Sequence, residues 1–291
     1  MRKTFIIMAV LLTMGMMCVS LSACTKTNKL EPVVGIELSK ASENKTQSTD
    51  NSSIGDVAQA AIPKTDNTPS RSSTPTPVVK SIGKVIVIDP GHANRANLEL
   101  EANAPGSSVM KIKDGGGAAG IDTKTPEYLI NMKVSLQLRD LLQKEGYIVV
   151  MTKTDNSVSL GNIQRAEIGN NEKAALVIRI HADSSENSTV SGASMLVPLP
   201  VNEGTKVIID ESNRCGRIIL NLLTSEVGMK NRGLAPHSDM TGFNWSKVPV
   251  ILVEMGFLSN PDEDRKLSDA NYQAKLARAL ADGITEALKN K

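Results

Sequence analysis

The sequence predicts an α/β domain: a mostly parallel or mixed β-sheet covered by helices on both faces. Three observations carry that prediction. Apolar runs rich in β-branched residues, such as VIVI at 85–88 and VILV at 250–253, leave no polar face and suit strands buried on both sides. Segments of helical period alternate with these runs. Several of the runs also end abruptly on polar residues, at the carboxyl edge where open α/β sheets place their ligands.

The first strand, KVIVID at 84–89, stops at Pro90 and Gly91, which force a turn ahead of His92. The segment 93–124 carries DGGGAAG at 114–120. No Gly-Lys-Ser/Thr follows, so the glycines are not a phosphate cradle, and a mobile loop bordering a cleft is expected. Thr125, Pro126 and Glu127 make a helix start: a capping hydroxyl, a proline at the first position, then an acid in the first turn. Ile130, Val134, Leu138 and Leu142 give that helix its apolar face. Gly146 ends it, and YIVVMT at 147–152 is the next strand. A helix over 162–174, a strand over 175–181 and a strand over 192–198 follow. The rest is a long helix over 206–229, a buried strand over 248–257 and a closing helix over 271–289.

With 291 residues, the chain has room for one domain of about 200 residues plus appendages. Only seven aromatic residues occur, so the core rests on Leu, Ile, Val, Ala and Met. The net charge of +2 is supplied by Arg2 and Lys3; without them the balance is 31 basic against 31 acidic residues. No basic field remains for phosphate backbones, which argues against a nucleic-acid partner. Cys215 has no obvious disulfide partner, since Cys18 and Cys24 lie in the N-terminal segment.

Residues 1–23 read as an export signal, with two cations followed by an apolar run too short for a comfortable membrane span. LSAC, ending at Cys24, resembles the bacterial lipoprotein signal, which implies cleavage before Cys24 and acylation of that cysteine. Two or more acyl chains would anchor the chain stably to the outer face of a bacterial cytoplasmic membrane. Residues 24–80 read as a disordered tether. Of the 56 residues from 25 to 80, 25 are Ser, Thr, Asn or Pro and none is aromatic, too little apolar surface to offset chain entropy. A flexible coil of that length spans about 40 Å. The single catalytic domain is then 81–291.

His92, His181 and Glu254 each close an apolar run, and Glu127 opens a helix. Each has a plain alternative, such as capping a strand or complementing a helix dipole. Glu254 is the hardest to treat so, because an unpaired buried carboxylate costs several kcal/mol. Two histidines and a carboxylate make a recurrent catalytic zinc shell, but the long spacing leaves a metal site and separately satisfied groups equally open.

Four blocks in order, VIVIDPGH, TPEYLINMKVSLQLRDLL, LVIRIHAD and VPVILVEMGFLSNPDED, resemble the zinc-dependent N-acetylmuramoyl-L-alanine amidases. The resemblance runs from about residue 84 to the C-terminus. It implies a mixed sheet flanked by helices, one Zn2+ held by His92, Glu127 and His181, and Glu254 as catalytic acid/base. It further implies peptidoglycan as substrate, cut at the amide joining muramic acid to the stem peptide. A tethered, non-catalytic peptidoglycan-binding lipoprotein and a zinc peptidase acting within the stem peptide are the alternatives. The chain departs from the pattern in two places. DPGHAN and a long insertion stand where DPGHGG is common, and RIHAD stands where SIHAN is usual. Strand alternation puts Arg179 on the face of His181, to orient a ligand, bind a substrate carboxylate or form a salt bridge. Asp89 is expected to support an imidazole or cap the turn. His237, in an irregular loop with 240–245 nearby, is expected to line the cleft wall.

Overall fold

The computed structural model describes residues 81–289. The signal segment 1–23, Cys24 and the tether 24–80 lie outside the described residues. Eight strands and six helices follow in the order β1 (Val85–Pro90), β2 (Asn97–Ala102), β3 (Met110–Asp114), α1 (Glu127–Lys144), β4 (Ile148–Met151), α2 (Asn162–Asn171), β5 (Leu176–Asp183), β6 (Ala193–Pro198), α3 (Glu203–Val227), β7 (Asn231–His237), α4 (Thr241–Asn244), β8 (Val250–Phe257), α5 (Pro261–Ser268) and α6 (Ala270–Leu288).

Six strands form one sheet in the order β4-β1-β5-β8-β6-β7. β4, β1, β5 and β8 run parallel, whereas β6 is antiparallel to β8 and carries β7 parallel to itself. The sheet is therefore mixed, as expected. Alternation along the central strands divides the core in two. Ile86, Ile88, Ile178, Ile180, Ile251 and Val253 share one apolar cluster with residues of α1, α3 and α6. Val87, Val177, Val250 and Leu252 form the other with Phe243 of α4 and Ile208. Asn202 caps α3 by accepting from the Thr205 N–H, and Gly228 ends that helix in the left-handed conformation at φ 75°.

The segment 93–124 borders a cavity as expected, through Ile112, Lys113, Asp114 and Gly115, but it is not all loop. β2 and β3 pair as an antiparallel hairpin, with Leu100 opposite Ile112 and Glu101 opposite Lys111. The hairpin is tied down along its inner side. Glu101, 6% exposed, accepts the first backbone N–H groups of α2, from Asn162 at 2.7 Å and Ile163 at 3.1 Å. The Trp245 indole donates to the Ala102 carbonyl at 2.9 Å, and Asn244 donates to that of Asn103 at 3.1 Å. The strands escaped notice because their apolar members, Leu98, Leu100, Met110 and Ile112, point to solvent and beside glycines read as loop.

Two further expectations are corrected. The residue flanking α1 is Pro126, and Thr125 makes no side-chain cap; Glu127 is the first helical residue and is buried, not dipole-facing at the surface. His237 is the last residue of β7, not part of an irregular loop, and 241–244 form the short helix α4. Neither α4 nor α5 was expected from the sequence.

The hairpin's anchorage makes a first prediction. Glu101→Ala leaves the α2 N–H groups without their acceptor and should cost about 1–3 kcal/mol of stability. It should also speed amide exchange across 97–114, read by hydrogen–deuterium exchange; unchanged exchange there would remove Glu101 as the anchor.

Candidate metal centre and active site

The β1 turn delivers His92 in the left-handed conformation, φ 58°, a strained setting for a non-glycine residue that points to a site with a purpose. Gly91 is required beside it, because a Cβ there would overlap the His181 ring. His181 comes from the carboxyl end of β5 and is 9% exposed. Glu127 reaches in from the first residue of α1. The two imidazole rings meet edge to face, 4.8 Å apart between centroids.

Glu127 touches both rings. Its Oε2 lies 3.3 Å from His92 Nε2, and its Oε1 lies 3.1 Å from His181 Nδ1. The carboxylate also accepts from the Ala118 N–H at 3.0 Å, the Asn131 amide at 3.0 Å and the Ala182 N–H at 3.2 Å. Gly117 lets the chain pass close by, since a Cβ there would stand 2.6 Å from Glu127 Oε2 and 2.9 Å from His92 Cδ2. Burial alone would raise the Glu127 carboxyl, but the His181 hydrogen bond, the two imidazoles and Asn131 outweigh it and hold it at about 2. Burial lowers the His181 imidazolium to about 4, so the ring is neutral at pH 7.

Ligand atoms of His92, Glu127 and His181 all lie within 4.8 Å of one another, near enough to hold one metal ion. The donor set fits a divalent cation. Asp114 Oδ1 sits 2.9 Å from His92 Nδ1, and a proton shared there leaves the Nε2 lone pair free. His181 Nε2 is buried without a hydrogen-bond partner. Whichever tautomer His181 holds, one of its nitrogens has a lone pair to offer.

Glu254 stands in register with His181 on the neighbouring strand β8. Its Oε2 is buried with no hydrogen-bond partner. Burial first, then the charges of Glu127 and Asp183, push its carboxyl well above the usual range. A groove of about 510 Å³ bordered by Asp183, Arg232, His237 and Glu254 opens on this side. His237 thus reaches the groove wall, with Asp239 at 3.5 Å from its Nδ1. On the other side a cavity of about 190 Å³ is bordered by His92, His181, Arg165 and Arg179.

Asp89 supports no imidazole. It is 1% exposed and accepts from Arg165 at 2.6 Å, Arg179 at 2.8 Å and Thr152 at 2.6 Å. Its side chain shares a face with Arg179, its register partner on β5, so the guanidinium claims it. Burial alone would raise its carboxyl, but the two arginines and Thr152 outweigh it and hold it far below the usual carboxylate range. The carboxylate behind His92 is instead Asp114, at the end of β3. The sequence signal was present, an acid at the end of an alternating MKIKD stretch, but the following glycines hid it.

A mixed α/β sheet brings two histidines and a carboxylate together at its strand ends, in a group that could hold a metal ion. The chain belongs to the N-acetylmuramoyl-L-alanine amidase family Amidase_3, whose profile matches residues 86–286. The probable cell wall amidase LytH of Staphylococcus aureus is 26% identical over 208 residues, covering 69% of this chain. The chain spans 57% of the length of that relative. Among solved structures, the N-acetylmuramyl-L-alanine amidase Ami1 of Mycobacterium smegmatis superposes with a TM-score of 0.66 at 25% identity, covering 73% of this chain and all of that one. The CwlD amidase of Clostridioides difficile, solved with the GerS lipoprotein, gives 0.59 at 27% identity, covering 72% of this chain and all of that one.

The contact behind His92 yields a second prediction. If the trio holds a divalent metal ion, Asp114→Ala should weaken its binding about 10- to 100-fold, as loss of a carboxylate behind a ligating histidine does. Competition with a chromophoric chelator measures this, and unchanged affinity would show that Asp114 does not tune the centre.

Proposed function

We propose that the protein is a zinc-dependent N-acetylmuramoyl-L-alanine amidase, hydrolysing the amide between N-acetylmuramic acid and the L-alanine of the peptidoglycan stem peptide. The observation that carries this reading is the convergence of His92, Glu127 and His181 beside Glu254, within a chain of the amidase family. His92, Glu127 and His181 would hold Zn2+. Bound there, the ion would supply Lewis acidity, lowering the pKa of water and polarising the amide carbonyl. Glu254 takes the proton from the attacking water and delivers it to the leaving nitrogen. An amide nitrogen departs poorly until protonated, so one shuttling carboxylate serves both halves of the reaction. A carboxyl raised by burial suits that task, being easier to reprotonate than an exposed one.

In this reading residues 1–23 are a lipoprotein-type signal, Cys24 carries the lipid, 24–80 form the tether and 81–291 the catalytic domain. The enzyme then works outside the cytoplasm, held by its lipid at the outer face of the membrane and facing the wall. LSAC at 21–24 and the composition of 25–80 support this arrangement. Among the described residues no helix is long and apolar enough to cross a membrane.

Digestion of purified peptidoglycan tests the activity. Free stem peptides beginning at L-alanine should appear by mass spectrometry, vanish with a chelator and return with zinc. Loss of a terminal D-alanine would mark a carboxypeptidase instead, and no product at all a binding protein. Glu254→Gln should lower turnover by about 10²–10⁴-fold while elemental analysis finds zinc retained. Near-wild-type turnover in that variant would remove Glu254 from the mechanism.

A further inference from the structure

The small cavity beside the two histidines has a charge pattern that the amidase reading does not use. Arg165 and Arg179 are 4% and 6% exposed, and both border it. One carboxylate, Asp89, is shared between them. Lys153, 4% exposed and close enough to feel Arg165, adds a third buried cation. Around these three stand Asp89, Asp114, Asp155 beside Lys153 and Glu254 within the field of Arg179; Asp114 gives its Oδ1 to His92 and the Gly116 N–H, while its Oδ2 has no partner. What an anion would meet here is a set of guanidinium N–H groups not spent within the fold, and such donors bind an ionised acceptor more strongly than a neutral one.

The donors for such an anion are in place. A guanidinium has five N–H groups. Arg179 gives one to Asp89 and one to Asn162 at 2.8 Å. Arg165 spends its Nε on the Leu160 carbonyl and its Nη1 on Asp89 and the Pro90 carbonyl. Arg179 Nη1 and Arg165 Nη2 have no hydrogen-bond acceptor among the described residues. Gly242 of α4 makes room for the former on the side of a smaller adjoining pocket, since a Cβ there would stand 2.5 Å from Arg179 Nη1.

We infer that this cavity is an anion subsite that binds a carboxylate of the stem peptide, and so selects peptidoglycan by its peptide charge. The inference rests on the amidase reading, and substrate chemistry then fixes the direction. The only carboxyl of N-acetylmuramic acid is consumed in the scissile amide, so every free carboxylate lies on the peptide side. The nearest belongs to the second stem residue, the α-carboxylate of isoglutamate, which in amidated walls is a neutral carboxamide. Two extended residues span about 7 Å, which brings that group to a cavity bordered by the same histidines. A paired guanidinium discriminates the two forms strongly, because a carboxylate accepts charge-assisted hydrogen bonds that a carboxamide cannot match.

Two soluble muropeptides differing only in that carboxylate or carboxamide test the inference. The zinc-loaded enzyme should favour the carboxylate form at least about tenfold in kcat/KM. Gly242→Ala, which displaces the Arg179 guanidinium, and Arg179→Lys should both lose most of that preference with zinc content unchanged. Equal rates on the two substrates, or a preference for the carboxamide, would overturn the subsite whatever the variants do. If neither substrate is cleaved, the amidase reading fails separately. Calorimetry with L-alanyl-D-isoglutamate and L-alanyl-D-isoglutamine, both with the γ-carboxyl blocked as a methylamide, then decides the cavity: tighter carboxylate binding supports it, equal binding refutes it.

Discussion

The candidate centre depends on one carboxylate. Glu127 bridges two imidazoles that come from separate strands, and it accepts hydrogen bonds from backbone groups on two more segments, at Ala118 and Ala182. No other side chain of the described residues touches both histidines in this way. Its place at the first turn of α1 fixes its direction, and the glycines at 91 and 117 let neighbouring chains close around it. The cost of burying an ionised carboxylate is met by those donors, as a buried charge requires. The fold thereby holds a preorganised set of nitrogen and oxygen donors before any ion arrives.

The same environment treats a second acid in the opposite manner. Glu254 is also largely enclosed, but its Oε2 has no donor, and the negative charges of Glu127 and Asp183 face it. One carboxyl is therefore held ionised and the other is held reluctant to ionise, although they approach the same strand end. Environments that push two carboxyl groups apart are how a single fold separates a ligand from a proton carrier. A divalent cation seated at the trio would draw Glu254 back towards ionisation, coupling its proton affinity to the state of the centre.

Much of this was legible in the sequence. The buried strands announced themselves as unbroken β-branched runs, and the residues that closed them, His92, His181 and Glu254, are those that meet at the sheet edge. Long-range convergence was not legible from spacing, because 35 positions separate His92 from Glu127 and 54 separate Glu127 from His181. Only the resemblance of four blocks brought them together. The hairpin was missed for a physical reason: its alternation faces solvent with its apolar side, the inverse of the usual signal. The hairpin also carries Asp114, so the carboxylate behind His92 could not be read from the strand ends, where Asp89 stood open between imidazole support and a turn cap.

The departures from the family pattern fall in two places that touch. The long insertion after His92 becomes the hairpin, which contributes Asp114 to the back of His92 and Ile112 and Lys113 to the rim of the small cavity. Arg179, standing where serine is usual, reaches the same cavity from β5, and its partner Asn162 begins the helix that the hairpin's Glu101 caps. A large cation cannot replace a small hydroxyl in a packed interior unless space and counter-charge come with it. Gly242 provides the space, Asp89 part of the charge and Asn162 a further acceptor. The hairpin and Arg179 thus meet through Asn162, which donates to the Lys113 carbonyl and accepts from Arg179, around a trio whose own geometry is closed by Glu127. Under the proposed reading, selection of substrate would vary along this seam while Glu127 keeps the trio in place, and Asp114 links the two, since it borders the cavity and hydrogen-bonds His92.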